Sequence, residues 1–177
     1  MKLNSFIIIF LFGFIHFTNT CFGQDSLISK SFLNNKVHLL VPKTFSELSQ
    51  ATIAEKYPDP NSRPSIILTD KEEFSSIKII KLPQEVSDNE IARYKAFHMT
   101  NMKKEPNLEW LGDGIKKING KTNGFIKVIY TDRNTFSYFL FTSLDGKLLL
   151  LTYNCARKLW PALEETTEKI ITSLKIE

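Results

Sequence analysis

Cysteine is scarce in this chain: Cys21 and Cys155 are the only two among 177 residues. That number cannot build the bridged framework of small secreted domains, so the fold has to rest on a hydrophobic core. Histidine is nearly as rare. Beyond the N-terminal region there are only His38 and His98, far apart and without a His-Glu-x-x-His pair, which argues against a zinc site. Strong charge of either sign is missing too. Against 23 basic residues stand 19 acidic ones, a balance too mild for nucleic-acid binding or a strongly acidic partner. Long apolar runs are lacking: Phe6–Phe17 spans 12 residues, whereas a membrane-crossing helix needs about 20. There is no Gly-x-Ser-x-Gly elbow, no phosphate-cradling glycine loop, no Cys-x-x-Cys, and no repeat or low-complexity segment.

What is present begins with a tripartite N-terminus. Lys2, the apolar run Phe6–Phe17 and polar Thr18-Asn19-Thr20 have the plan of a secretory signal. The expected cut lies between Gly23 and Gln24. An uncleaved anchor is one alternative. A second makes Cys21 a lipid-bearing first residue, although Thr18-Asn19-Thr20 poorly match the small apolar residues that precede such cysteines. Removing 23 residues leaves 154, with 22 basic and 19 acidic side chains, which suits one domain. The expected division is 1–23 signal peptide, 24–34 loose leader and 35–177 a single domain, monomeric and outside the cytoplasm.

An apolar run, Val37–Val41, reads as a strand stopped by Pro42. Ser49 can cap a short helix to Lys56, and the stretch Tyr57–Pro64, with three prolines, is a stiff loop. Strands follow at Ser65–Thr69 and Ile77–Leu82. Ser87-Asp88-Asn89-Glu90 is a capping box opening a helix to about Lys104, with Ile91, Tyr94, His98 and Met102 as its stripe and Ala92, Ala96 and Met99 widening it. Asn119-Gly120, Asn123-Gly124 and Asp145-Gly146 are turn steps that separate antiparallel strands at Trp110–Ile118, Gly124–Thr131, Phe136–Ser143 and Lys147–Tyr153. Phe136–Phe141 is apolar on both alternating sets, so helices are expected on both faces of the sheet. A last helix, Lys158–Leu174, tolerates Pro161 in its first turn. The fold class expected is α+β, an α/β/α sandwich with a mainly antiparallel sheet of six or seven strands.

This order, with Val41-Pro42-Lys43, Ala54-Glu55-Lys56-Tyr57-Pro58, Arg63-Pro64, Trp110-Leu111-Gly112-Asp113-Gly114 and the run Phe141–Leu148, resembles the PsbP/DcrB-like group. The resemblance covers nearly all of the chain after the leader and implies the Mog-type α/β/α sandwich. Members of that group serve as assembly subunits, binding proteins or uncharacterised envelope proteins, so it implies no catalytic set and no cofactor.

The residues agree with that silence. Glu72-Glu73 and Glu164-Glu165 are adjacent acids suited to solubility, and Asp113 sits in a glycine turn. His98 reads as a packing residue, His38 as polar surface and Cys155 as a buried, inert thiol. Binding candidates are Tyr57 and Arg63, an aromatic face and a forked donor on the stiff loop, and Trp110. The expected function is a non-enzymatic envelope module binding a protein or small ligand, with a hydrolase using acids and water as the alternative.

Overall fold

The computed structural model describes residues 26–177, so the expected signal peptide, its expected cut and Cys21 lie outside the described residues. The elements in order are strands β1 (Leu27–Phe32), β2 (Val37–Pro42) and β3 (Ser46–Glu47), then helix α1 (Gln50–Lys56). Strands β4 (Ile66–Thr69) and β5 (Ser75–Glu85) lead to helix α2 (Ile91–Met102). The meander β6 (Leu108–Ile118), β7 (Lys121–Tyr130), β8 (Thr135–Leu144) and β9 (Lys147–Ala156) is followed by helix α3 (Trp160–Thr172) and strand β10 (Lys175–Ile176).

Seven strands form one sheet in the order β3-β4-β5-β9-β8-β7-β6, and β1-β2-β10 form a second, with antiparallel pairing throughout. After β5 the chain crosses by α2 to the far edge, and the meander then walks back until β9 pairs with β5. The expected sandwich is therefore present, with one change of membership. Val37–Pro42 leaves the large sheet because the chain reverses at its end, where the Phe45 amide bonds the Pro42 carbonyl at 3.0 Å. The two-residue strand β3 takes the seventh place.

Register decides which face each side chain meets. Tyr138, Leu140, Leu151, Tyr153, Ile77 and Ile79 point to a core shared with α3 and with Val37, Leu39 and Val41 of the small sheet. Ile126, Val128, Phe141 and Leu148 point to a second core under Ile91 of α2. Both faces of β8 are covered, as its double apolar pattern requires. Phe139 is only half buried, because α2 lies toward β7 and β8 and leaves that position at its margin.

Three local expectations change. The segment expected as a loose leader forms β1 from Leu27 to Phe32 and pairs with β2 along its whole length. It is an edge strand with only Phe32 fully buried, so its sequence carries little alternation. Asn123-Gly124 is not a turn but lies inside β7. A Cβ on Gly124 would stand 2.8 Å from the Lys95 Cβ, so glycine here lets α2 approach the sheet. The turns are Asn119-Gly120 and Asp145-Gly146, all four residues with positive φ, and a longer one that ends on Asn134. On α2 the stripe includes Lys95, which is buried, while Ala92 and Ala96 are exposed. Helical spacing allowed either choice, and the lysine won because its stem lies over Gly124 and its ammonium reaches Asp113.

The helices are tied down by caps and ion pairs. Ser49 accepts the Thr52 amide at 3.1 Å, and Glu90 accepts both the amide and the hydroxyl of Ser87. Glu168 of α3 pairs with Lys116 and Lys127, whose ammonium groups lie over the rings of Phe125 and Tyr138.

Candidate functional site

A cleft of about 810 Å³ opens on the α3 side of the large sheet, a size suited to a small ligand or an inserted side chain. Each wall follows from local chemistry. The turn after Pro42 brings Phe45 inward, where it is buried. The Thr69 hydroxyl donates to the Ser75 carbonyl at 2.9 Å, closing the base of the turn between β4 and β5, and Asp70 accepts the Phe74 amide at 2.8 Å. Glu73 takes a left-handed conformation, φ 57°, in that turn. Phe74 is left 52% exposed on the rim, with the Lys158 ammonium 5.6 Å from its ring centroid. Leu159, just before α3, and Ala162 and Leu163 near its start complete the opposite wall, and Tyr153 of β9 forms the floor.

The cleft is predominantly apolar, and its charges sit on the rim: Asp70, Lys71 and Glu72 on the turn, Lys158 on the helix side. Burial pushes the Tyr153 hydroxyl up to about 12, so the floor stays neutral at physiological pH. Cys155, two residues on, is buried and its thiol is likewise pushed up to about 12, so it is a packing residue rather than a nucleophile. Two acids do share the rim, but Asp70 is engaged by its own turn and no histidine lines the cleft. Among the described residues no three His, Cys, Asp or Glu side chains gather to hold a metal ion.

The residues singled out in the sequence lie elsewhere. Arg63 spends its Nε on the Tyr57 carbonyl at 2.8 Å and Nη2 on the Pro58 carbonyl at 2.9 Å, stapling the proline loop from within. Tyr57 is half buried beneath Lys78, whose ammonium stands 5.2 Å from the ring centroid. Lys78 alternates with core-facing Ile77 and Ile79, so this loop sits on the α2 side of the sheet, opposite the cleft. Trp110 is on β6, separated from β5 by three strands, roughly 19 Å at the usual spacing of about 4.8 Å. Its indole N–H donates to Asp113 at 3.2 Å and Lys103 covers its ring. The three do not form one site.

The histidines are accounted for locally. His98 stacks on Phe141 at 5.0 Å and burial lowers its pKa, so it stays neutral. His38 is half buried between the Ser31 hydroxyl at 2.8 Å and Glu177 at 3.5 Å. The cleft escaped sequence reading because its walls come from β2, the turn after β4, β9 and α3, and no spacing in the sequence links them. Phe74 was the one visible signal, a large aromatic in an acidic turn.

No model of a known protein family matches the chain, and no curated protein matches it in sequence. Solved structures do match in fold. Cyanobacterial PsbP (CyanoP) from Synechocystis superposes with a TM-score of 0.60 at 12% identity, covering 89% of this chain and 96% of that one. A protein of unknown function from Pseudomonas aeruginosa gives 0.51 at 14% identity, covering 85% and 97%. LpqN, involved in cell envelope biogenesis of Mycobacterium tuberculosis, gives 0.50 at 13% identity, covering 85% and 90%. These likenesses, together with the layered arrangement of helices and antiparallel sheet, establish that the chain has the PsbP-like fold.

Proposed function

We propose that the chain is an exported, non-enzymatic module of the cell envelope that takes an apolar ligand, or an apolar side chain of a partner protein, into the cleft beside Phe45 and Tyr153. The observation that carries this reading is the cleft itself: a wide apolar recess with a neutral tyrosine floor, charge confined to the rim, and no histidine among its lining residues. Such a surface rewards burial of apolar area and offers nothing that would move a proton. The envelope setting draws on the signal-like N-terminus and on the fold shared with LpqN. No helix among the described residues is long and apolar enough to cross a membrane.

Filling the cleft tests the reading. Ala162 lines it from an exposed position on α3, so Ala162→Trp occupies the recess without touching the core. With anilinonaphthalene sulfonate as probe, binding is expected to weaken at least about tenfold while the thermal melt is unchanged, since an indole displaces the apolar area the probe would bury. Unchanged binding rejects the cleft. The double variant Tyr57→Ala, Arg63→Ala serves as the comparison and is expected to bind like the parent. Loss of binding there instead assigns recognition to the proline loop.

Export has its own measurement. The intact mass of protein recovered from outside the cytoplasm is expected to correspond to a chain starting at Gln24. A mass that retains residues 1–23 removes the signal reading, and a diacylglycerol on Cys21 makes the chain a lipid-anchored protein.

A further inference from the structure

Strand β6 is the last strand on one side of the seven-stranded sheet, and among the described residues no strand pairs with its outer edge. We propose that this edge is a self-association surface, on which two copies pair antiparallel through Gly112–Ile118 about a two-fold axis at Ile115 and join their sheets into one. The proposal goes beyond the cleft function and is independent of it, since β8 and β7 separate β6 from the strand of Tyr153.

The hydrogen-bond phase comes from the turn. Asn119 and Gly120, with φ 47° and 83°, make a two-residue turn of the primed kind, which sets Ile118 and Lys121 as a hydrogen-bonded pair. Alternation along the ladder then turns the amides and carbonyls of Asp113, Ile115 and Lys117 away from β7, toward the open edge. A two-fold axis at Ile115 places Asp113 opposite Lys117 of the second copy, Ile115 opposite Ile115, and Lys117 opposite Asp113. All three are of the hydrogen-bonded type, giving about six main-chain bonds. The one irregularity of β6, between Trp110 and Gly112, falls outside the paired stretch.

The side chains suit the same register. Ile115 is 46% exposed although it lies on a strand, and the axis would bury it against its own copy. Lys117 is exposed and makes no ion pair among the described residues, whereas Asp113 already holds Lys95 and the Trp110 indole and is a quarter exposed, with room for a further donor. Edge lysines normally repel an added strand. Here Lys116 is turned to Glu168 on the other face and stands opposite Gly114 of the second copy, where no side chain obstructs it. The pattern Asp-Gly-Ile-Lys-Lys from 113 to 117 is thus complementary in charge to its own reverse. A monomer is what the sequence alone suggests; the open edge exists only once β6 is placed outermost.

Sedimentation equilibrium on the purified exported protein tests this directly. The mass is expected to rise from one chain to two across the micromolar range, and Lys117→Glu, which sets like charges opposite each other twice, is expected to weaken association by about tenfold or more with an unchanged melt. Oxidation of an Ile115→Cys variant is expected to give a covalent dimer, because paired Cα atoms about 5.5 Å apart suit a disulfide, while Leu111→Cys, about eight residues out of register with itself, is expected to stay monomeric. A single-chain mass at every concentration overturns the proposal, as does association indifferent to Lys117→Glu. Equal cross-linking through position 111 overturns the register.

Discussion

Truncation of Phe136 to alanine is expected to lower the unfolding free energy by about 3–5 kcal/mol, the range for removing a buried aromatic from a packed core. Phe136 is fully buried on β8, facing α3, and stacks on Trp160 with centroids 3.5 Å apart and planes 12° from parallel. The truncation therefore removes transfer energy and leaves Trp160 without its stacking partner at the start of α3. Phe139→Ala, three residues on, is expected to cost far less, about 1–2 kcal/mol, because that ring is only half buried at the margin of α2. The pattern of apolar residues alone ranks the two together, and makes Phe139 look like a fully covered core ring. Denaturant melts of both variants decide it, and equal losses would show that α2 covers Phe139 after all.

Removal of Asp113 is the second large effect. The Lys95 side chain, between α2 and the sheet, is 11% exposed, and its partner is the Asp113 carboxylate across Gly124. Asp113→Ala leaves a buried cation without its counter-ion, a change that costs about 3–5 kcal/mol in buried pairs and is expected near the lower end here because the aspartate is itself a quarter exposed. Replacing both partners, Lys95→Met with Asp113→Asn, is expected to recover most of that loss, since a well-packed apolar stem needs no counter-ion. A double variant as unstable as the single one would show that the pair acts through shape alone.

The same pair gives a pH dependence with a definite sign. The hydrogen bond from Lys95, with its charge and that of Lys103, holds the Asp113 carboxyl below the usual carboxylate value despite the opposing effect of burial. A carboxylate whose pKa is depressed by folding stabilises the native state fully above its unfolded value, about 3.9, and loses that contribution as pH falls through the folded value. Stability of the parent should therefore drop below about pH 4 by more than that of Asp113→Asn, while the two run parallel above about pH 5. Parallel curves throughout would remove Asp113 from the acid response and leave it to the other carboxyls whose pKa values are lowered, Asp145 and Glu168 among them.

Much of the fold was legible because its signals are local. Pro42 stops a strand, Ser49 and Glu90 are caps, and the Asn-Gly and Asp-Gly turns at 119–120 and 145–146 set the register of β6 against β7 and β8 against β9. Where the same local signal had two uses, the sequence could not choose. Asn123-Gly124 has the composition of a turn, but the glycine serves a helix stem crossing the sheet, a partner 29 residues earlier in the chain. Arg63 and Tyr57 have the chemistry of a recognition site, but Arg63 is satisfied by carbonyls five and six residues before it.

By itself, then, the sequence determined that this chain folds on a core rather than on disulfides, that its strands form a hairpin-linked antiparallel sheet covered on both faces, and that none of the familiar catalytic motifs is present. Those properties follow from composition, period and turn chemistry, each of which acts over a few residues. Only the tertiary structure decided that Val37–Pro42 belongs to a second sheet, that Phe45, Phe74 and Tyr153 enclose a cleft, that Lys95 rather than alanine faces the large sheet, and that β6 is its outermost strand. Each of these depends on which distant segment arrives alongside, and that is settled by the packing of whole faces against one another rather than by the conformational preference of any one stretch.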